Sequence, residues 1–128
     1  MKTVKFPDLS MVEQNVPYVH FHKSKDESNK AFFVELVINT SLGTECSEPV
    51  ITNDPESKTI YVTFNLTHPK HEQGDSFELI HIEQFKVENI FQSEDTLICV
   101  NVHINHHHYG PEADSSVIVR YRDIPGSK

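Results

Sequence analysis

At Leu97–Asn105 the chain reads LICVNVHIN, with an apolar side chain at every second position. Ile98, Val100, Val102 and Ile104 fall on one side, and Cys99, Asn101, His103 and Asn105 on the other. A period of two is a strand period, because successive side chains leave an extended backbone in opposite directions. The pattern repeats over residues 58–67, where Ile60, Val62, Phe64 and Leu66 alternate with Tyr61, Thr63, Asn65 and Thr67. It repeats again over residues 31–40. There Phe32, Val34, Leu36 and Ile38 make a wholly apolar face, while Ala31, Phe33, Glu35, Val37 and Asn39 make a half-apolar one. The second face suits a central strand that something else partly covers. Residues 117–123 alternate too, with Val117, Val119 and Tyr121 inward and Ile118, Arg120 and Arg122 outward. Strands of this kind bury one face each, which requires two packed sheets or a closed barrel.

Weaker signals fill the gaps. Residues 3–6 predict a short edge strand stopped by Pro7, and Asp8 a cap for one helical turn. Residues 18–22 follow Pro17 as a strand, with Val19 and Phe21 inward and His20 and His22 outward. Residues 46–52 predict a short edge strand that Pro49 keeps from pairing fully. After a long turn at residues 68–75, residues 77–83 begin a return strand. Its apolar phase slips between Leu79 and Ile80, which predicts a bulge or a twist. Residues 84–91 fit either a continuation or a short helical turn, and residues 106–116 read as a loop. Turn signals separate the segments and no long amphipathic helix is visible. Seven or eight strands in one domain spanning residues 1–128 predict an antiparallel β-sandwich. A small barrel of cupin or jelly-roll type is the alternative. Half-polar strand faces favour the sandwich, whose sheets can each keep one face wet.

Charge narrows the function classes. Nineteen Asp and Glu outnumber eleven Lys and Arg, for a net charge of −8. Such a surface repels phosphate backbones and anionic lipid, so neither nucleic acid nor membrane is an expected partner. The basic residues are unevenly spread: five of the eleven lie in residues 1–30, and the remainder carries six against fifteen acids. Cys46 and Cys99 lack zinc-type spacing and read as free thiols. The N-terminal residues hold no apolar leader, and no run approaches the ~18 apolar residues of a membrane span. The cytoplasm is the expected compartment.

The densest chemistry follows the first strand described above. His103 and the run His106, His107 and His108 are candidate ligands for a divalent metal, since neutral imidazoles bind Zn, Ni and Cu. Glu112 and Asp114 stand close enough to complete such a site, or to hold a ligand through its second ring nitrogen. If the two C-terminal strands pair as a hairpin, Asn101, His103, Arg120 and Arg122 share a polar face able to hold a carboxylate or sugar-like ligand. His20, His22 and Glu27 form the spacing HxHxxxxE. This resembles the first metal motif of the cupin family, whose metal-binding members hold a divalent cation with two His and a Glu inside a β-barrel. The resemblance covers residues 20–27. It implies ligand roles for His20, His22 and Glu27, with His81 or His103 as a further His. Gln14 stands where the motif has glycine, and the second cupin motif has no counterpart in order.

No glycine-rich phosphate loop, GxSxG, HExxH or CxxC occurs in the chain. The expected function is therefore a non-enzymatic β-sandwich module that binds a protein partner or small ligand, with a homo-oligomer as one form of it. The alternatives are a metal-dependent, cupin-like enzyme or metal-binding protein, and a sugar-binding, lectin-like module. The last would lack the Trp that sugar sites often use as a platform.

Overall fold

The computed structural model describes residues 15–25, 30–69, 77–105 and 113–126. Eight strands run through them: β1 (Tyr18–Lys23), β2 (Phe32–Ser41), β3 (Glu45–Cys46), β4 (Val50–Asp54), β5 (Thr59–Thr67), β6 (Phe77–Val87), β7 (Leu97–Asn105) and β8 (Ala113–Arg120). A 3-10 turn, Tyr121–Asp123, follows β8. One sheet has the order β1-β2-β6. In the other, β3 and β4 both border β5, and β7 and β8 follow. The two sheets pack face to face as an all-β sandwich and do not close into a barrel. No helix among the described residues is long and apolar enough to cross a membrane. The edge strand expected at residues 3–6, the cap at Asp8, Glu27 and the run His106, His107 and His108 lie outside the described residues.

The alternation read from the sequence becomes the core. Phe32, Val34, Leu36 and Ile38 of β2, Ile60, Val62, Phe64 and Leu66 of β5, and Ile98, Val100, Val102 and Ile104 of β7 are each at most 2% exposed. Val19 and Phe21 of β1, Ile80, Ile82 and Phe85 of β6, and Val119 of β8 pack against them. Two aromatic contacts add to this packing. Phe64 meets Phe85 edge-on at 6.3 Å between ring centroids, and Phe32 meets Tyr121 at 6.3 Å. Each fully buried side chain of this size contributes roughly 1.5–3 kcal/mol, so burial is the leading stabilising term.

Strand partnership departs from the expectation. The segment read as the return strand of β5 does not pair with β5. It becomes β6, crosses to the other sheet and pairs antiparallel with β2. β7 then lies beside β5 in parallel, so the larger sheet is mixed. Parallel neighbours require a crossover of a dozen or more residues. The stretch between Thr67 and Leu97, with β6 inside it, is long enough to supply one.

The bulge in β6 also lies elsewhere than expected. The β2–β6 register shifts between Val34 and Leu36, so that residue 35 faces residues 83 and 84, and Gln84 takes a φ of 47°. Ile80 and Ile82 point inward before the bulge, and Phe85 and Val87 after it. Leu79 is simply an outward leucine, 39% exposed. β3 and β4 form one interrupted edge along β5, in which residues 47–49 stand against residues 64–65. Pro49 occupies that irregularity, where no ladder donor is needed. β8 starts at Ala113, inside the stretch read as a loop.

Candidate functional site

The outer face of the larger sheet is built by register. Because β5 and β7 pair residue for residue, Tyr61 stands beside Cys99, Thr63 beside Asn101, Asn65 beside His103 and Thr67 beside Asn105. β8 extends the rows with Ile118, Ser116 and Asp114 opposite Cys99, Asn101 and His103. Side chains along the rows are tied together. Ser116 Oγ donates to Asn101 Oδ1 at 2.7 Å, and Cys99 Sγ lies 3.5 Å from the same oxygen. These two contacts fix the orientation of the Asn101 amide. His103 Nδ1 hydrogen-bonds the Asp114 carboxylate across the strands.

This face is unusual in charge. Lys, Arg, Asp and Glu make up 23% of the chain, yet none occupies the ten outward positions of β5 and β7. Nine of these ten are half-buried; the tenth, Thr59, is 6% exposed. The result is an uncharged array of Thr, Asn, Tyr, Cys, His and Leu side chains.

The expected ligand set does not gather there as one group. Asn101 and His103 share the face. Arg120 stands opposite Leu97, four residues along the strand from Asn101, which is about 13 Å at about 3.3 Å per residue. Its Nη1 donates to the backbone oxygen of Asp95 at 3.2 Å, and Arg122 ion-pairs with the Asp95 side chain. The two arginines therefore tie the β6–β7 connection to the end of β8.

His20, His22 and His81 lie on the outer face of the smaller sheet. His20 stands opposite Glu35, and His22 stacks on Phe33 with 5.0 Å between centroids. His81 Nε2 lies 2.6 Å from Glu35 Oε2, and its Nδ1 is 3.7 Å from Glu83. The hydrophobic core separates this face from His103, so the expectation that His103 could join His20 and His22 is corrected. In a barrel the strands' inner faces converge, whereas here His103 points away from the face that carries His20 and His22. Among the described residues, no three His, Cys, Asp or Glu side chains are arranged to hold a metal.

The Glu35–His81 pair was not foreseen, although Glu35 is the one charged residue in AFFVELVINT. Glu35 is 5% exposed, and a carboxylate so deeply placed needs its hydrogen-bond partner. His81→Ala is expected to destabilise the fold by about 1–3 kcal/mol, read from urea midpoints. Adding Glu35→Leu in the same chain should recover most of that loss, because the stranded carboxylate is gone. No recovery would mean that His81 acts by packing alone.

A second unforeseen network closes one end of the sandwich. Thr40 Oγ1 donates to Asn15 Oδ1 at 2.7 Å, so its contact with His68 Nε2 at 2.9 Å is one it accepts. Both cysteines are free thiols. Burial pushes the Cys46 and Cys99 thiols upward, which disfavours the nucleophilic thiolate. Comparison with protein-family models, curated proteins and solved structures gives no match to this chain.

Proposed function

We propose that the chain is a non-enzymatic, cytoplasmic binding module that offers the outer face of its larger sheet to a flat protein surface. The observation that carries this reading is the absence of formal charge at the ten outward positions of β5 and β7 in a chain of net charge −8. Interface cores are depleted in charged residues and enriched in Tyr, and Tyr61 sits in the middle of this face. Ile118, 66% exposed, and Val50, 53% exposed, flank it on either side. Strands β4, β5, β7 and β8 are five to nine residues long; at about 3.3 Å per residue and about 4.8 Å between strands they span roughly 500 Å². That area on each partner belongs to a weak or transient complex. A second copy of the chain is the simplest such partner.

A photoreactive side chain at position 63 tests this reading in cells. It is expected to cross-link to a protein, while the same probe at position 86, on the smaller sheet, is not. Tyr61→Lys should remove the adduct without changing the circular dichroism spectrum. Adducts from both faces alike, or none from position 63, would overturn the proposal.

A further inference from the structure

We infer that the cavity beside Tyr121 is a binding site for a small anion carrying a phosphate group. The cavity has a volume of about 350 Å³, and its lining includes Lys23, Lys25, Lys30, Glu94 and Tyr121. That volume lies within the range of ligand sites, at the small end. It has room for a phosphate and a short organic part.

The charge distribution is the main observation. Three of the chain's eleven basic residues converge here, although the chain as a whole carries −8. Among the described residues that line the cavity, Glu94 is the one carboxylate, 3.6 Å from Lys30 Nζ. Lys23 Nζ stands 4.8 Å from the centroid of the Tyr121 ring, and Lys30 Nζ stands 5.8 Å from the same centroid. Tyr121 is 4% exposed and packs on Phe32, so the ring is a fixed platform. Two ammonium groups thus gather at one immobile ring. Each gains only about 0.5–1 kcal/mol from it when solvated, and the two repel each other. Glu94 offsets one of them. A dianion between them offsets the rest.

The chemistry of the lining selects the class of anion. Lysine binds phosphate as a point charge, whereas planar carboxylates are best held by the arginine fork. Arginine is absent from the described lining. The walls are also held in place without a ligand. Lys23 N–H donates to Pro125 O at 2.7 Å, Ser24 N–H to Ala31 O at 2.9 Å, and Tyr121 N–H to Thr96 O at 2.8 Å. These bonds join the end of β1, the start of β2 and the turn after β8. At these points the backbone is fixed before a ligand arrives, which favours affinity.

The phosphate can be inorganic phosphate or the head of a small monoester, and a titration separates the two. The full chain, ¹⁵N-labelled, is titrated at constant ionic strength with inorganic phosphate, with glycerol phosphate and with chloride. Both phosphates are expected to give saturable shifts at the amides of Lys23, Ser24, Lys30 and Tyr121, and chloride is not. Tighter binding of glycerol phosphate would assign the remaining volume to an organic part. Equal binding would assign the site to the phosphate group itself. The double variant Lys23→Gln/Lys30→Gln should bind at least about tenfold more weakly. Lys25→Gln, at the exposed rim, is a milder change that keeps the fold and should weaken binding about threefold. Unsaturable shifts, an equal response to chloride, or unchanged binding by both variants would overturn the inference.

Discussion

Phe64→Ala is expected to lower the stability of the fold by about 3–5 kcal/mol, the usual cost of emptying a buried phenylalanine site. Phe64 is fully buried on β5, which has neighbours on both sides in the larger sheet. Its ring meets Phe85 of the opposite sheet edge-on, so the substitution opens a void between the layers and not at their rim. Two bordering strands limit how far β5 can relax into that void, which places the cost toward the upper end. A domain of this size has roughly 5–15 kcal/mol in total, so the variant retains at most a modest margin. The melting temperature should fall by on the order of 10 °C or more. Phe64→Leu keeps much of the volume and should cost under about 2 kcal/mol. Leu79→Thr, on the outside of β6, should stay within about 0.5 kcal/mol of the parent. A Phe64→Ala midpoint indistinguishable from that of Leu79→Thr would show that the two sheets are not packed through this residue.

That contrast also marks what was legible in the sequence. Alternation assigns a side chain to a face, and it did so correctly for Phe64, Val100 and Leu36 alike. It says nothing about which strand lies alongside. β5 and β7 carry the same pattern whether they run parallel or antiparallel, and the crossover that makes them parallel is set by connection length and packing. Leu79 and Ile80 read as a phase slip because both are apolar. The actual slip is the three-residue step from Ile82 to Phe85, where Gln84 adopts a positive φ. Face assignment likewise placed His103 and Asn101 outward. It could not reveal that Arg120 and Arg122 would be drawn to Asp95, since that contact depends on where a loop returns. The uncharged array on β5 and β7 was present in the sequence as Tyr61, Thr63, Asn65, Asn101 and Asn105. It becomes one surface only once the two strands are known to be neighbours. The cavity was further from view, because Lys23, Lys30 and Tyr121 come from three separate segments.

Asn89→Ala is expected to cost about 3 kcal/mol, although it removes no apolar contact of note. Asn89 is fully buried in the connection between β6 and β7. Its Nδ2 donates to Ser93 O at 3.0 Å, while its Oδ1 accepts from Phe91 N–H at 3.2 Å and from Thr96 Oγ1 at 3.1 Å. Each such bond contributes about 0.5–1.5 kcal/mol, and a buried group left without its partner costs about 1–3 kcal/mol. Thr96 is itself fully buried, so its hydroxyl would lose this partner away from water. Thr96→Val removes only one bond and should cost about 1 kcal/mol. Asn89→Asp keeps the acceptor oxygen but turns the donor into a second oxygen facing Ser93 O, and it buries a charge. It should be at least as damaging as alanine at neutral pH. The connection also holds the far wall of the Tyr121 cavity. Tyr121 N–H donates to Thr96 O, and Arg122 N–H donates to Glu94 O at 3.0 Å. Hydrogen exchange in Asn89→Ala should therefore rise most at residues 90–96 and 121–123, beyond the general rise that a less stable fold gives β2 and β5. Phosphate affinity should fall in parallel, although Asn89 does not line the cavity. Acceleration of equal extent over all strands would instead mean that Asn89 has no particular hold on the Tyr121 turn.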